Sequence, residues 1–100
     1  LALVRAEAED YRAPETFLAL VRRLAEERLL ESGNSGISLM GPLPAPMEKR
    51  AGRFRAQLQI SARQRPALQQ LLAGLCPQIE ALREARSVRW SVDVDPQDMI

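Results

Sequence analysis

Between Arg53 and Ser61 the chain alternates without a break, with Phe54, Ala56, Leu58 and Ile60 on one side and Arg53, Arg55, Gln57 and Gln59 on the other. Successive side chains of a strand point to opposite faces, so this pattern predicts a strand with one face on a core and the other on water. The alternation returns over Arg86–Val94, where Val88, Trp90, Val92 and Val94 turn inward and Arg89, Ser91, Asp93 and Asp95 outward. Two half-apolar strands need apolar partners, and the chain supplies two helical stripes. Phe17, Leu20, Val21 and Leu24 recur at helical spacing from Pro14 towards Leu29; Leu68, Leu71, Leu72, Leu75, Ile79 and Leu82 do so later. Leu1–Ala8 and Ile37–Met40 are short apolar runs that read as two further strands. The order strand, helix, strand, strand, helix, strand predicts an α+β ferredoxin-like plait, two helices on one face of a four-stranded antiparallel sheet.

Local punctuation supports these elements. Pro14 suits a first helical turn and Glu15 the positive end of the helix dipole. Ser32-Gly33-Asn34-Ser35-Gly36 ends that helix, with Gly33 or Asn34 able to take a left-handed cap. Pro42, Pro44 and Pro46 cannot donate ladder bonds, so the strand stops at Met40 and Pro44–Gly52 becomes a long hairpin arm. Ser61-Ala62-Arg63-Gln64 resembles a capping box, but a start near Gln64 or Arg65 keeps Pro66 in the first turn and is preferred. Pro77 is expected to kink the second helix, and Gly74 to permit that kink or a close helix–sheet approach.

Composition excludes several classes of function. One hundred residues, 46% hydrophobic and 27% charged, allow one ordered domain. No apolar stretch is long enough for a membrane span. The opening at Leu1, inside an apolar run, reads as a cut within a longer chain. Cys76 stands alone and histidine is absent, which excludes an internal disulfide, a Cys/His zinc site and Ser-His or Cys-His catalysis. Cys76 falls on the apolar stripe and reads as a buried small hydrophobe. Asp93 and Asp95 share a face, but two carboxylates without a third ligand read as strand-end solubility or a domain contact.

Net charge is only +1, but Lys49, Arg50, Arg53, Arg55, Arg63 and Arg65 cluster with Glu48 alone opposing them, while acids collect at the two ends. Lys49, Arg50, Arg53 and Arg55 lie within seven residues, a spacing that meets successive phosphates or forms a solvated polar face; charge alone does not choose. Arg89 and Arg5 are expected on the same sheet face. Arg65, in the first turn of the second helix, joins a fixed charge to free N–H groups, which suits a carboxylate; Arg63 adds attraction and Gln69 follows one turn later. The same residues also fit an ordinary helix surface. Phe54 and Trp90 alternate inward, Trp90 as a core anchor, so the outer face lacks stacking platforms and contact should be to nucleic-acid backbone.

Gly41-Pro42-Leu43-Pro44-Ala45-Pro46-Met47-Glu48-Lys49-Arg50-Ala51-Gly52-Arg53-Phe54-Arg55, the ending Val88-Arg89-Trp90-Ser91-Val92-Asp93-Val94-Asp95-Pro96 and the opening Leu1–Glu7 resemble the C-terminal domain family of primosomal protein N-prime (PriA). The resemblance implies a single domain over residues 1–100, a fragment of a larger replication-restart DNA helicase, with a Pro-rich basic arm over 41–55. It implies that ATP, magnesium and zinc belong to the parent and are bound elsewhere, and that the fragment itself is no enzyme. DNA at forks, D-loops and single strands would be met through Lys49, Arg50, Arg53, Arg55 and Arg89. Arg65 and Gln69, with Arg63, would form part of a pocket for the acidic tail of single-stranded DNA-binding protein. The parent's helicase domains would be further partners, in a cytoplasmic, nucleoid-associated setting. Two alternatives remain: a stand-alone RNA-binding plait of ribosomal-protein type, and a phosphate-cradling transfer enzyme on the same fold. The latter is disfavoured by the carboxylates of Glu7, Glu9 and Asp10 in its would-be phosphate loop.

Overall fold

Small side chains on the inner face of the first strand let two helices lie close to the middle of a sheet. The computed structural model describes residues 1–33, 36–50 and 52–95, with backbone only for 46–50. Its elements are β1 (Ala2–Ala8), α1 (Ala13–Ser32), β2 (Ile37–Arg50), β3 (Arg53–Ala62), α2 (Arg65–Ala81), a 3-10 turn (Arg83–Ser87) and β4 (Arg89–Val94). All neighbouring strands pair antiparallel in the order β2-β3-β1-β4, which is the expected ferredoxin-like plait. Phe17, Leu18, Val21 and Ala25 of α1 and Leu68, Leu71, Leu72, Leu75 and Ile79 of α2 pack on Ala2, Val4, Ala6, Ala56, Leu58 and Ile60. Each fully buried Leu or Ile here contributes roughly 1.5–3 kcal/mol of transfer free energy. The buried stripe of α1 is rotated from the expected one: Leu18 and Ala25 replace Leu20 and Leu24, and Leu24 packs at the margin of the core.

The ends of the helices follow their residues. Gly33, at φ +68°, is the left-handed cap of α1 and donates its N–H to the Leu29 carbonyl at 3.0 Å. The alternative cap, Asn34, lies outside the described residues. Helix α2 starts at Arg65 with Pro66 in its first turn, and its N-cap Gln64 makes no side-chain cap bond, so the capping-box start is not used. The helix runs through Pro77 to Ala81. Proline removes the N–H that would serve the Ala73 carbonyl; both residues are on the exposed side, where the carbonyl is open to solvent. Gly74 allows a close approach of the other helix, where a sheet contact was the expectation. A Cβ there would lie 2.0 Å from Nη2 of Arg28 on α1, whose Nη1 donates to Oε1 of Gln78 at 3.2 Å.

Two strands differ in length from the sequence expectation. β2 does not stop at Met40: it continues through the prolines to Arg50, because it is an edge strand and its outer side needs no ladder bonds. Its register breaks between Met40 and Leu43 and again between Pro44 and Lys49. Across the second break, residues 45–48 of β2 stand opposite Arg55 alone, a larger bulge than the usual two residues against one. The first break turns on Gly41, at φ +113°, where a Cβ would meet the Gln57 carbonyl oxygen at 2.9 Å. The Gly41–Pro42 bond is cis, and the Gly41 carbonyl accepts from Arg22 Nη1 at 2.7 Å. At the other edge, β4 begins at Arg89 and not Arg86. Its pairing with β1 ends at Glu7↔Arg89, and the residues before it wind into the 3-10 turn, with Ala85 and Val88 packed against the core.

Candidate nucleic-acid and peptide interface

Strand register stacks the polar positions of β3, β1 and β4 into rows on the face away from the helices: Arg55–Glu7–Arg89, then Gln57–Arg5–Ser91, then Gln59–Leu3–Asp93. The aromatic residues turn elsewhere. Trp90 packs against the core with its ring centroid 6.2 Å from that of Phe17, and Phe54 meets Tyr11 edge-on at 5.2 Å. The face is not wholly bare, however: Leu3 is fully buried on it and Ala45 nearly so. Ala45, on the bulge of β2, joins Arg5, Glu7, Arg55, Arg89, Trp90 and Ser91 around a cleft of about 320 Å³.

Three of the expected outward cations, Arg5, Arg53 and Arg89, face carboxylates. Arg53 Nε lies 3.7 Å from Glu7 Oε1 and its Nη1 3.9 Å from Glu9 Oε1; Arg89 Nη1 lies 3.9 Å from Glu7 Oε1. Arg5 contacts Asp93. Arg53 Nε is buried without a hydrogen-bond acceptor, since 3.7 Å is too long for one. Arg89 is 75% exposed despite its partner, and Arg55 has no ion pair among the described residues. The reason is topological: β1 brings Glu7 between the arginines of β3 and Arg89 of β4, and β4 brings Asp93 beside Arg5. Lys49 and Arg50 pair by backbone with Phe54 and Arg53, and their side chains lie outside the described residues.

On the helix side, Arg65 is the first residue of α2, 64% exposed, and its guanidinium contacts the carboxylate of Asp95. Gln69, one turn on, and Arg63 are exposed, and the Arg63 main-chain N–H donates to the Gly36 carbonyl at 3.0 Å. Asp95 adopts φ +50° just past β4 and donates its N–H to the Leu1 carbonyl. Asp93 and Asp95 thus each meet an arginine, and no metal-ligating group of three or more His, Cys, Asp or Glu forms among the described residues. Burial, with Glu80 adding to it, pushes the half-buried Cys76 thiol up. Glu7 and Asp95 are the participants that sequence reasoning missed. Their signal was present only as acids at alternating positions of end strands.

The sequence profile of the Primosomal protein N C-terminal domain matches residues 1–97. The chain belongs to this family. It is 33% identical over 98 residues to the replication restart protein PriA of Haemophilus influenzae, a match covering 98% of this chain and 13% of that relative. The chain therefore spans about an eighth of that relative's length. In this PriA C-terminal domain, the two motif stretches that carry the resemblance lie on opposite walls of the cleft, with Ala45 and Arg55 on one side and Arg89 and Ser91 on the other. No helix of the described residues is long and apolar enough to cross a membrane.

Proposed function

We propose that the chain is a single accessory domain of a larger replication-restart helicase, and that its sheet face binds DNA backbone. The observation that carries this reading is the cleft on that face, lined by Arg5, Arg55 and Arg89, where the one aromatic residue of the lining, Trp90, has its ring packed against Phe17 and the core. Arginine forks onto phosphate oxygens in a bidentate way, and without stacking the contact is indifferent to base sequence. Glu7, Glu9 and Asp93 offset much of the charge, so binding is weak and adds to that of the parent's other domains. Lys49 and Arg50 extend the basic track along the arm, and Arg53 joins it at the base of β3. ATP-driven unwinding, with its ATP, magnesium and zinc, belongs to the remainder of the longer protein, which works on forks, D-loops and single strands in the bacterial cytoplasm.

Arg65, Gln69 and Arg63 form part of a second site, for the acidic tail of single-stranded DNA-binding protein. The Asp95 carboxylate against Arg65 supports this, since it displays the ligand chemistry that the helix start accepts. A stand-alone RNA-binding plait has no observation in its favour beyond the shared fold.

Fluorescence polarisation of a labelled oligothymidylate over a salt series tests the DNA reading. Affinity is expected to fall steeply with salt, and Arg55→Ala to flatten the logarithmic slope by about 0.7, the value for one phosphate of a single strand. A salt-independent signal, or an unaltered slope in R55A, removes the cleft from the account.

A further inference from the structure

Glu7 lies in the cleft where an incoming phosphate would go. Its side chain is only 30% exposed, and Oε1 faces Arg53 Nε at 3.7 Å and Arg89 Nη1 at 3.9 Å, with Arg55 beside it in register. Two guanidinium groups facing one anion, with Arg55 next to it across the strand pair, make a seat for a tetrahedral oxyanion, and a carboxylate fills it poorly. Neither contact reaches hydrogen-bond length, and the buried Arg53 Nε is left without an acceptor. We infer that Glu7 is a resident competitor: its carboxylate holds the position that a phosphodiester of single-stranded DNA would take among Arg53, Arg55 and Arg89, and so limits the affinity of this face. The inference rests on the DNA-backbone reading above and adds the residue that sets its strength.

Two opposed effects decide the sign of a Glu7 substitution. The carboxylate repels a phosphate at close range, where the cleft walls reduce solvent screening. It also orients Arg53 and Arg89. Arg89 is largely exposed and held by a long contact, so little preorganisation is lost when Glu7 is neutralised. Repulsion therefore dominates. A restraint of this kind keeps the domain from holding DNA when the rest of the protein must move along it.

The test compares the intact chain with Glu7→Gln and Glu26→Gln, using polarisation of a labelled oligothymidylate over a salt series. Both substitutions remove one negative charge, but Glu26 pairs with Arg22 on α1, away from the sheet face. E7Q is expected to bind several-fold more tightly, with a salt slope steeper by about 0.7 for the extra phosphate, while E26Q stays within about twofold of the parent. Equal tightening by both variants would reduce the effect to net charge and overturn the inference. Unchanged or weaker binding by E7Q, with the parent still bound, overturns it while leaving the DNA reading standing. Absence of binding by the parent and by E7Q alike defeats both. Glu7→Ser is the second neutral variant if thermal melting shows E7Q to be misfolded, and the same outcomes apply to it.

Discussion

Replacing Gly74 with Ala sets two effects of similar size against each other, and the structure says where each comes from. Alanine in a helix interior is favoured over glycine by about 1 kcal/mol. The new Cβ, however, would stand 2.0 Å from Nη2, 2.3 Å from Cζ and 2.7 Å from Nε of Arg28, so the guanidinium must leave. It then gives up its 3.2 Å bond to Gln78, worth about 1 kcal/mol for a partly buried hydrogen bond. The obstacle is the far end of a flexible, half-buried side chain, so the helices need not separate. G74A should accordingly lie within about 1 kcal/mol of the parent in urea denaturation, a melting-temperature change of no more than about 4–8 °C. In an Arg28→Ala background the clash is gone, and the same substitution should stabilise by about 1 kcal/mol. A double-mutant cycle should thus report a coupling of about 1 kcal/mol between the two positions. A loss above about 3 kcal/mol for G74A alone, or additivity of the two substitutions, would refute a seat made for Arg28 by the missing side chain.

Three further outcomes are expected. Phe17→Ala, at a site 1% exposed and in contact with Trp90, should cost about 3–5 kcal/mol, a large part of the stability of a domain this size, read from the urea midpoint. Arg65→Ala should weaken binding of an acidic peptide with a free C-terminal carboxylate about tenfold, or ~1.4 kcal/mol, by calorimetry on the full-length parent; an unaltered Kd would remove Arg65 from the tail site. Because the folded-state pKa of Cys76 is raised, the thiol stays protonated at neutral pH and alkylation should be slow until the pH exceeds that of an ordinary thiol. The sign for stability follows: the unfolded chain loses its thiol proton first, so Cys76 contributes fully below the ordinary thiol pKa and its contribution declines as the pH rises from there towards the folded value. Cys76→Ser should remove that alkaline decline, measured as urea midpoint against pH.

Periodicity is a local property, and what depends on it was legible in the residues. Alternation in Arg53–Ser61 and helical spacing from Leu68 to Ile79 each report which side of one element meets the core, and the order of elements then leaves few ways to pack them. Backbone chemistry was legible where one residue decides it, as with Gly33 at the end of α1 and Pro66 in the first turn of α2. The length of β2 was not, because a proline is excluded from a strand only if its N–H side must pair, and that depends on whether the strand lies at an edge.

Charge along the chain foretold the candidate interface only in part. The basic stretch around Arg53 and the acids near Glu7 read as separate regions in the sequence, yet in the sheet they are neighbours. Electrostatic interaction depends on distance in space, and the order β2-β3-β1-β4 places Glu7 of β1 between Arg53 and Arg55 of β3 and Arg89 of β4. The amino-acid sequence by itself determined the plait, the core faces of β3 and α2, and the family. Tertiary structure alone decided which arginines are matched by carboxylates, because strand neighbours distant along the chain settle that balance.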